Sequence, residues 1–141
     1  MPTLEDAILL AVQAHRGQVA KGGEPYMLHV LRVMLRLDSE HERMAGVLHD
    51  VVEDTPYTLD DLRQMGYPTA VVAAVDHLTR RQSESYEAFV ERALADPIAR
   101  RVKLADLEDN MDVRRLTAVT DDDRARLQRY LDAWRRVKGL A

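Results

Sequence analysis

The sequence predicts an all-α protein, a compact bundle of about seven to eight helices. Apolar residues recur at spacings of three and four along most of the chain, which is the period of an α-helix. Residues that cap or interrupt helices, namely Ser, Thr, Asp, Gly and Pro, separate these segments. We find no convincing strand in the sequence.

The first predicted helix lies in TLEDAILLAVQAH, residues 3–15. Thr3 is a candidate N-cap, and Glu5 and Asp6 place negative charge in the first turn, where it favours a helix start. A loop follows in RGQVAKGGEPY, residues 16–26, because its three glycines and one proline predict unusual backbone angles.

The remaining predicted helices are each bounded by Gly, Pro, Ser, Thr or Asp and cover 27–37, 40–54, 58–65, 68–80, 84–95 and 97–111. The chain closes with a further helix in TDDDRARLQRYLDAWRRVKG. Its acidic start and basic end match the helix dipole, and Gly139 stands just after the last turn.

Length and charge restrict the class of protein. A chain of 141 residues is long enough for one domain with a sizeable core, and we expect a single domain over 1–141. The formal net charge of -4 argues against a nucleic-acid surface, which is usually basic. No apolar stretch approaches the ~20 residues of a membrane span, and the start does not resemble a signal peptide. We therefore expect a cytoplasmic protein with no nucleic-acid or membrane partner; the sequence does not indicate its oligomeric state.

Four ionisable side chains crowd into GVLHDVVEDT, residues 46–55. At about 100° per residue, His49, Asp50, Glu53 and Asp54 fall within one arc of the predicted helix, and Gly46 lies on that arc one turn earlier. An acidic face that meets only water would explain neither the adjacent His-Asp pair nor the glycine. We interpret the strip as part of a metal site.

A divalent cation needs more ligands than this segment supplies. The sequence has no cysteine, so the other ligands must be histidines or carboxylates. His29 lies near the start of one predicted helix, and Asp106 lies within another. Each alone would be an ordinary structural residue. The combined set is the one expected for Mn²⁺ or Fe²⁺, rather than for structural zinc: His29, His49, Asp50 and Asp106.

Three separated motifs carry a family resemblance: AHRGQVAKGGEPYMLH, VLHDVVEDT and VKLADLEDNM. In this order, the chain resembles the hydrolase domain of the RelA/SpoT homologue superfamily, within the HD-domain metal-dependent phosphohydrolases. The resemblance spans nearly the whole chain and includes no synthetase or regulatory region. It therefore implies a small alarmone hydrolase with a single domain.

The resemblance also implies a role for each motif residue. The metal ligands would be His29, His49, Asp50 and Asp106, with manganese as the usual ion. Glu53 and Asp54 would position and activate the attacking water. Lys21 would contact the substrate, and Asn110 would lie near its ribose and phosphates. The implied reaction removes the 3′-diphosphate of (p)ppGpp by hydrolysis, leaving GDP or GTP and pyrophosphate.

The substrate-facing residues depart from the family pattern. Ala20 stands where members commonly have an arginine, whose guanidinium can stack on a purine. The family usually continues its third motif with arginine, leucine and histidine, and later with arginine and threonine; this chain has Leu107, Glu108 and Asp109, then Asp112 and Val113.

These departures leave two alternative functions open. One keeps the metal site but changes the substrate to an adenosine alarmone such as ppApp, to NADPH or to another nucleotide. The other is a non-catalytic protein that binds nucleotide. Glu53 and Asp54 together count against it, since a protein that only binds nucleotide does not need both.

Overall fold

The structure, a computed structural model, describes residues 1–140 as nine α-helices and one short 3-10 helix. Ala141, the last residue of the predicted domain, lies outside the described residues. The helices are α1 Leu4–His15, α2 Met27–Leu35, α3 Glu40–Leu48, α4 Val51–Asp54, α5 Leu59–Gln64, α6 Thr69–His77, α7 Tyr86–Leu94, α8 Pro97–Asn110 and α9 Asp121–Lys138, with the 3-10 helix at Val113–Arg115.

The all-α prediction is confirmed. Within residues 1–140 the only β contact is an isolated bridge between Val19 and Pro25 in the glycine-rich loop. Across the same range, none of the helices combines the length and apolar character that a membrane span requires.

Side-chain caps begin the first and last helices, and the cap at Thr3 was predicted from the sequence. The Thr3 hydroxyl accepts from the Asp6 N–H at 3.1 Å, and the Asp6 carboxylate accepts from the Thr3 N–H at 2.8 Å. Thr120 and Asp123 form the same reciprocal pair at the start of α9. Gly139 ends α9 in the left-handed conformation, with φ of 76°, which glycine adopts without steric cost.

The prediction of one continuous helix over 40–54 is wrong. Helix α3 ends at Leu48 and α4 begins at Val51, so His49 and Asp50 form a turn between them. Asp50 has φ of -102° and ψ of 0°, at the edge of the right-handed helical region and away from the values of a regular helix. Neither proline nor glycine marks the break, so the sequence carries no local signal for it. This split accounts for nine α-helices where eight segments were expected.

Helix α3 packs against α1, α2, α6 and α8, and its second half is completely buried. Gly46 permits the close contact with the end of α2. A Cβ atom built on Gly46 would lie 2.6 Å from Leu37 Cδ1 and 3.5 Å from Met34 Cα. A side chain at Gly46 would therefore have to displace the buried end of Leu37, and the Gly46 backbone carbonyl serves the site described below.

A smaller apolar cluster joins α7, α8 and α9 and contains Val90, Leu107, Ala133 and Val137. Leu107 is 0% exposed at its centre. This is one of the positions that depart from the family pattern, and its side chain fills core space between helices. The departure at Leu107 therefore concerns packing rather than substrate contact.

Replacement of Leu107 by alanine is expected to lower the free energy of unfolding by about 2–5 kcal/mol, because it removes buried methyl groups and leaves a cavity. Leu131→Ala on α9 is the matched control, since Leu131 is 42% exposed. We expect that control to lose no more than about 1 kcal/mol. Urea denaturation of both variants provides the measurement, and equal losses would contradict the packing role of Leu107.

Candidate metal centre and active site

The fold brings together the four side chains that the sequence nominated as metal ligands. His29 comes from α2, His49 and Asp50 from the turn after α3, and Asp106 from α8. His49 Nε2 lies 3.0 Å from Asp50 Oδ2 and 3.6 Å from Asp106 Oδ1, while His29 Nε2 lies 3.1 Å from Asp106 Oδ1. One ligand atom each from His29, His49 and Asp50 fits within a mutual distance of 4.8 Å.

The hydrogen bonds of His49 leave one ring nitrogen facing the cluster. Its Nδ1 lies 2.6 Å from the Gly46 carbonyl oxygen, which only accepts, so Nδ1 carries the proton. His49 Nε2 is buried and finds no hydrogen-bond partner of good geometry in residues 1–140. In neutral imidazole that nitrogen presents a lone pair, which is the form that binds a metal.

His29 is arranged in the same way from the other side. Its Nδ1 lies 2.6 Å from Asp109 Oδ2, and its Nε2 faces Asp106. Burial disfavours the charged ring, but hydrogen bonds to the Asp106 and Asp109 carboxylates outweigh it and raise the pKa of His29 to about 9. The negative carboxylates of the cluster thus stabilise a positive charge placed between them. A divalent cation held by nitrogen and oxygen atoms would supply that charge, so the donor set fits one.

Asp50 is held by a tyrosine that sequence reasoning missed. Tyr26, which precedes α2, donates its hydroxyl to Asp50 Oδ2. The buried ring of His15 packs against Tyr26 with centroids 5.3 Å apart, and His15 Nδ1 lies 2.9 Å from Gln18 Oε1. His15 therefore supports the loop structurally. The position of Tyr26, three residues before His29 in the first motif, was the available signal.

Asp106 also contacts two polar side chains on its own helix. Lys103 Nζ lies 3.4 Å from Asp106 Oδ2, and Asn110 Nδ2 donates to Asp106 Oδ1 at 3.1 Å. Lys103 is buried, with its ammonium 4.7 Å from the Phe89 ring centroid and 5.3 Å from that of Tyr86. Burial opposes its charge, but the Asp106 carboxylate reverses this effect and raises the pKa of Lys103. Sequence reasoning assigned no role to this buried cation.

Glu53 and Asp54 lie at the end of α4 and line the same cavity as Asp50 and Asp106. Glu53 Oε1 accepts from the backbone N–H of Arg80 at 2.7 Å, which fixes its carboxylate to the loop after α6. Burial of the carboxyl group, and then the negative charges of Asp50 and Glu53, raise the pKa of Asp54 to about 6. A carboxylate with such a pKa is suited to accept a proton near neutral pH.

Two cavities flank the cluster. The smaller, of about 190 Å³, contains Glu53 and Asp54 together with Lys103 and Arg80. The larger, of about 330 Å³, extends on the His29 side. Tyr26, Asn110 and Tyr130 line both, so one elongated ligand can reach from the acidic pair into the larger space.

The larger cavity includes both residues predicted to contact substrate, Lys21 and Asn110. Lys21 is mostly exposed and lies 3.4 Å from Asp123. Ala20 lines the same space, so the departure from the family pattern at this position faces the cavity directly. Apolar side chains, aromatic rings and guanidinium groups line this cavity. Such a lining suits a nucleotide, because the apolar groups can contact the base and the cations can contact the phosphates.

Comparison with known proteins places these features in a family. The HD domain model matches residues 7–136. This chain belongs to the HD domain family. The bifunctional (p)ppGpp synthase/hydrolase SpoT of Escherichia coli K12 is 36% identical over 141 aligned residues, covering 89% of this chain and 20% of SpoT. The guanosine-3′,5′-bis(diphosphate) 3′-pyrophosphohydrolase of Haemophilus influenzae is 36% identical over 134 residues. The alignment covers 84% of this chain and 19% of that protein.

A further curated relative and a solved structure are also similar to this chain. The GTP pyrophosphokinase of Streptomyces coelicolor is 38% identical over 122 residues, covering 77% of this chain and 14% of its own length. A solved structure of a metazoan ortholog of SpoT that hydrolyses ppGpp superposes with a TM-score of 0.79 at 25% identity, covering 97% of this chain and 86% of that one. The relation to SpoT expected from the three motifs is confirmed, although the chain spans only 14–20% of the length of these curated relatives.

The raised pKa of Asp54 makes the stability of the metal-free HD domain depend on pH. Because this pKa is higher in the folded protein than its ordinary value of 3.8, the protonated carboxyl stabilises the fold, and that contribution is lost as pH rises through about 6. Asp54→Asn is therefore expected to raise the urea midpoint near neutral pH, in the presence of chelator, and to change it little near pH ~4.

The exposed residue Asp132 on α9 supplies the control variant, Asp132→Asn. This variant should show no increase in the urea midpoint that is specific to neutral pH. A gain for Asp54→Asn that is equal at both pH values would mean that ionisation of Asp54 does not cause it.

Proposed function

We propose that this HD domain hydrolyses the 3′-diphosphate of (p)ppGpp, releasing pyrophosphate and leaving GDP or GTP. One observation carries the proposal: the candidate metal cluster, an acidic pair and a cavity of nucleoside size adjoin one another. The activities named for SpoT, for the 3′-pyrophosphohydrolases and for the metazoan ortholog support it. We further propose that residues 1–141 form one catalytic domain.

We propose Mn²⁺ as the metal, held by His29, His49, Asp50 and Asp106. Two imidazole nitrogens and two carboxylates, without thiolate, suit manganese or iron better than structural zinc. The bound ion would lower the pKa of water and offset phosphate charge. The hydrogen bonds at the Nδ1 atoms of both histidines support this assignment, because they leave the Nε2 atoms as the available donors.

The protein residues provide the remaining chemistry. Asp54, with its pKa near 6, takes a proton from water as the water oxygen attacks the phosphorus next to the ribose. Glu53, fixed by the Arg80 N–H, orients that water. The bond between phosphorus and the 3′-oxygen breaks, and this oxygen leaves as the ribose hydroxyl after it takes up the proton that Asp54 accepted, which restores the Asp54 carboxylate. The cations of Lys103 and Arg80 in the same cavity counter the charge of the departing pyrophosphate.

The larger cavity would hold the nucleoside. Lys21 and Asn110 contact phosphate and ribose, and the apolar wall packs against the base. Because Ala20 provides no guanidinium to stack on a purine, this wall discriminates weakly between guanine and adenine. A ppApp-like alarmone is accordingly the second candidate substrate.

Hydrolysis assays with defined metals test the function. Metal-free protein is supplemented with Mn²⁺, Mg²⁺ or no metal and given ppGpp, ppApp or NADPH, and products are identified by chromatography and ³¹P NMR. We expect GDP and pyrophosphate from ppGpp, dependent on Mn²⁺. Protein that binds manganese but leaves ppGpp intact, or that releases only orthophosphate, would overturn the proposal.

The acidic pair is tested by the double substitution Glu53→Gln and Asp54→Asn. We expect kcat to fall by at least about 100-fold, because a positioned general base contributes that much or more. Manganese affinity should stay close to that of the parent, since neither residue is a proposed ligand. Calorimetric titration and steady-state kinetics measure the two quantities separately.

Glu40→Gln combined with Asp132→Asn is a matched control, because both residues are exposed and neither lines the two cavities beside the cluster. It removes the same two charges and should leave kcat unchanged. Turnover close to the parent value in the Glu53 and Asp54 variant would remove the pair from the mechanism.

Base selectivity is tested at position 20. We expect the parent protein to prefer ppGpp over ppApp by no more than several-fold in kcat/KM, and Ala20→Arg to increase that preference. A stacking contact of this kind is worth about 1 kcal/mol at an exposed site. Ala20→Met is the control variant, because it introduces a long side chain that carries no planar cation. A guanine preference above about 100-fold that the arginine leaves unchanged would show that another residue reads the base.

A further inference from the structure

Asp109 is a buried carboxylate in direct contact with a proposed metal ligand. It is 1% exposed, and its Oδ2 lies 2.6 Å from His29 Nδ1. Asp106 precedes it by three residues on α8, so both carboxylates project from the same helix face. Asp106 faces Nε2 of the His29 ring and Asp109 faces Nδ1, so α8 contacts both nitrogens of a single imidazole.

Two arginines hold the Asp109 carboxylate in place. Arg32 donates from Nε to Oδ1 at 2.8 Å and from Nη2 to Oδ2 at 3.2 Å. Arg115 donates from Nη1 to Oδ2 at 3.1 Å and from Nη2 to the Asp109 backbone carbonyl at 2.7 Å. The two guanidinium groups balance a charge that would otherwise be costly to bury. They approach from α2 and from the 3-10 helix, so the carboxylate cannot turn away from His29.

We propose that Asp109 is a positioning residue for the metal site. It keeps the proton of His29 on Nδ1, fixes the ring plane and thereby directs the Nε2 lone pair toward the ion. Partners of this kind orient a metal-binding histidine and increase its basicity. The family usually has histidine at this position, so the arrangement belongs to this chain and does not follow from the resemblance. The proposal rests on the proposed metal site and not on the identity of the nucleotide.

A purely structural role is the competing explanation, since Asp109 also links α2 to α8 through Arg32. The two roles differ in what they predict for metal affinity. A structural link affects the stability of the fold and leaves affinity unchanged in molecules that remain folded. A positioning residue affects affinity even in fully folded protein.

The chain offers a matched control in Asp123. It is 5% exposed, forms ion pairs with Arg126 and Lys21, and caps α9 through Thr120. None of its hydrogen bonds or ion pairs among residues 1–140 involves a proposed metal ligand. Asp123→Asn therefore removes a buried, arginine-bound carboxylate without touching the cluster.

The experiment titrates Mn²⁺ alone into metal-free parent, Asp109→Asn and Asp123→Asn by calorimetry, with urea denaturation of each protein. We expect Asp109→Asn to weaken manganese affinity by about 10- to 100-fold. Asp123→Asn should bind within about twofold of the parent even though it loses stability. Folded Asp109→Asn with parental affinity would overturn the proposal, as would an equal loss in both variants.

A second measurement needs no variant. In the zinc-loaded parent, long-range ¹H–¹⁵N correlation spectra report which nitrogen of His29 carries the proton. A proton on Nδ1 that exchanges slowly with solvent supports the proposal, and a deprotonated Nδ1 overturns it. Because neither experiment uses nucleotide, protein that fails to cleave ppGpp but shows these results would refute the proposed function and retain the role of Asp109.

Discussion

The structure depends on bringing two imidazoles and several carboxylates together at a place where helices pack. Such groups are costly to bury singly and become tolerable only when each meets a complementary partner. The cluster sits where α2, the turn after α3 and α8 meet, and each of these elements is fixed by the apolar core beneath it. The close approach at Gly46 serves this end, since its carbonyl oxygen accepts a hydrogen bond from His49 Nδ1 and its missing side chain leaves room for Leu37.

Charge balance around the cluster explains residues that otherwise have no role. Lys103 compensates Asp106 from within the same helix, and its position over two aromatic rings offsets part of the cost of burial. Arg32 and Arg115 do the same for Asp109. Every carboxylate that points inward here has a cation, an imidazole or a tyrosine hydroxyl beside it. Glu53 and Asp54 face the smaller cavity instead, which leaves them accessible to solvent.

The positions that depart from the family pattern prove to have separate roles. Leu107 completes the apolar cluster under α9, and Glu108 accepts from the indole N–H of Trp134 at 3.1 Å. Asp109 contacts a proposed ligand, and Ala20 opens the wall of the larger cavity. The departures in this HD domain thus lie in the packing around the proposed metal site and in the wall of the larger cavity, while the proposed ligands and the acidic pair match the family motifs.

The sequence by itself indicated most of the helices, the Thr3 cap and the residues proposed as metal ligands, because periodicity, capping and short motifs are local in the chain. Only the tertiary structure decided the break at His49 and Asp50, the buried position of Lys103 and the contact of Asp109 with His29. The last pair is 80 residues apart in sequence, and no local pattern specifies such a distance. These features arise because the packing of whole helices determines which buried charged groups come into contact.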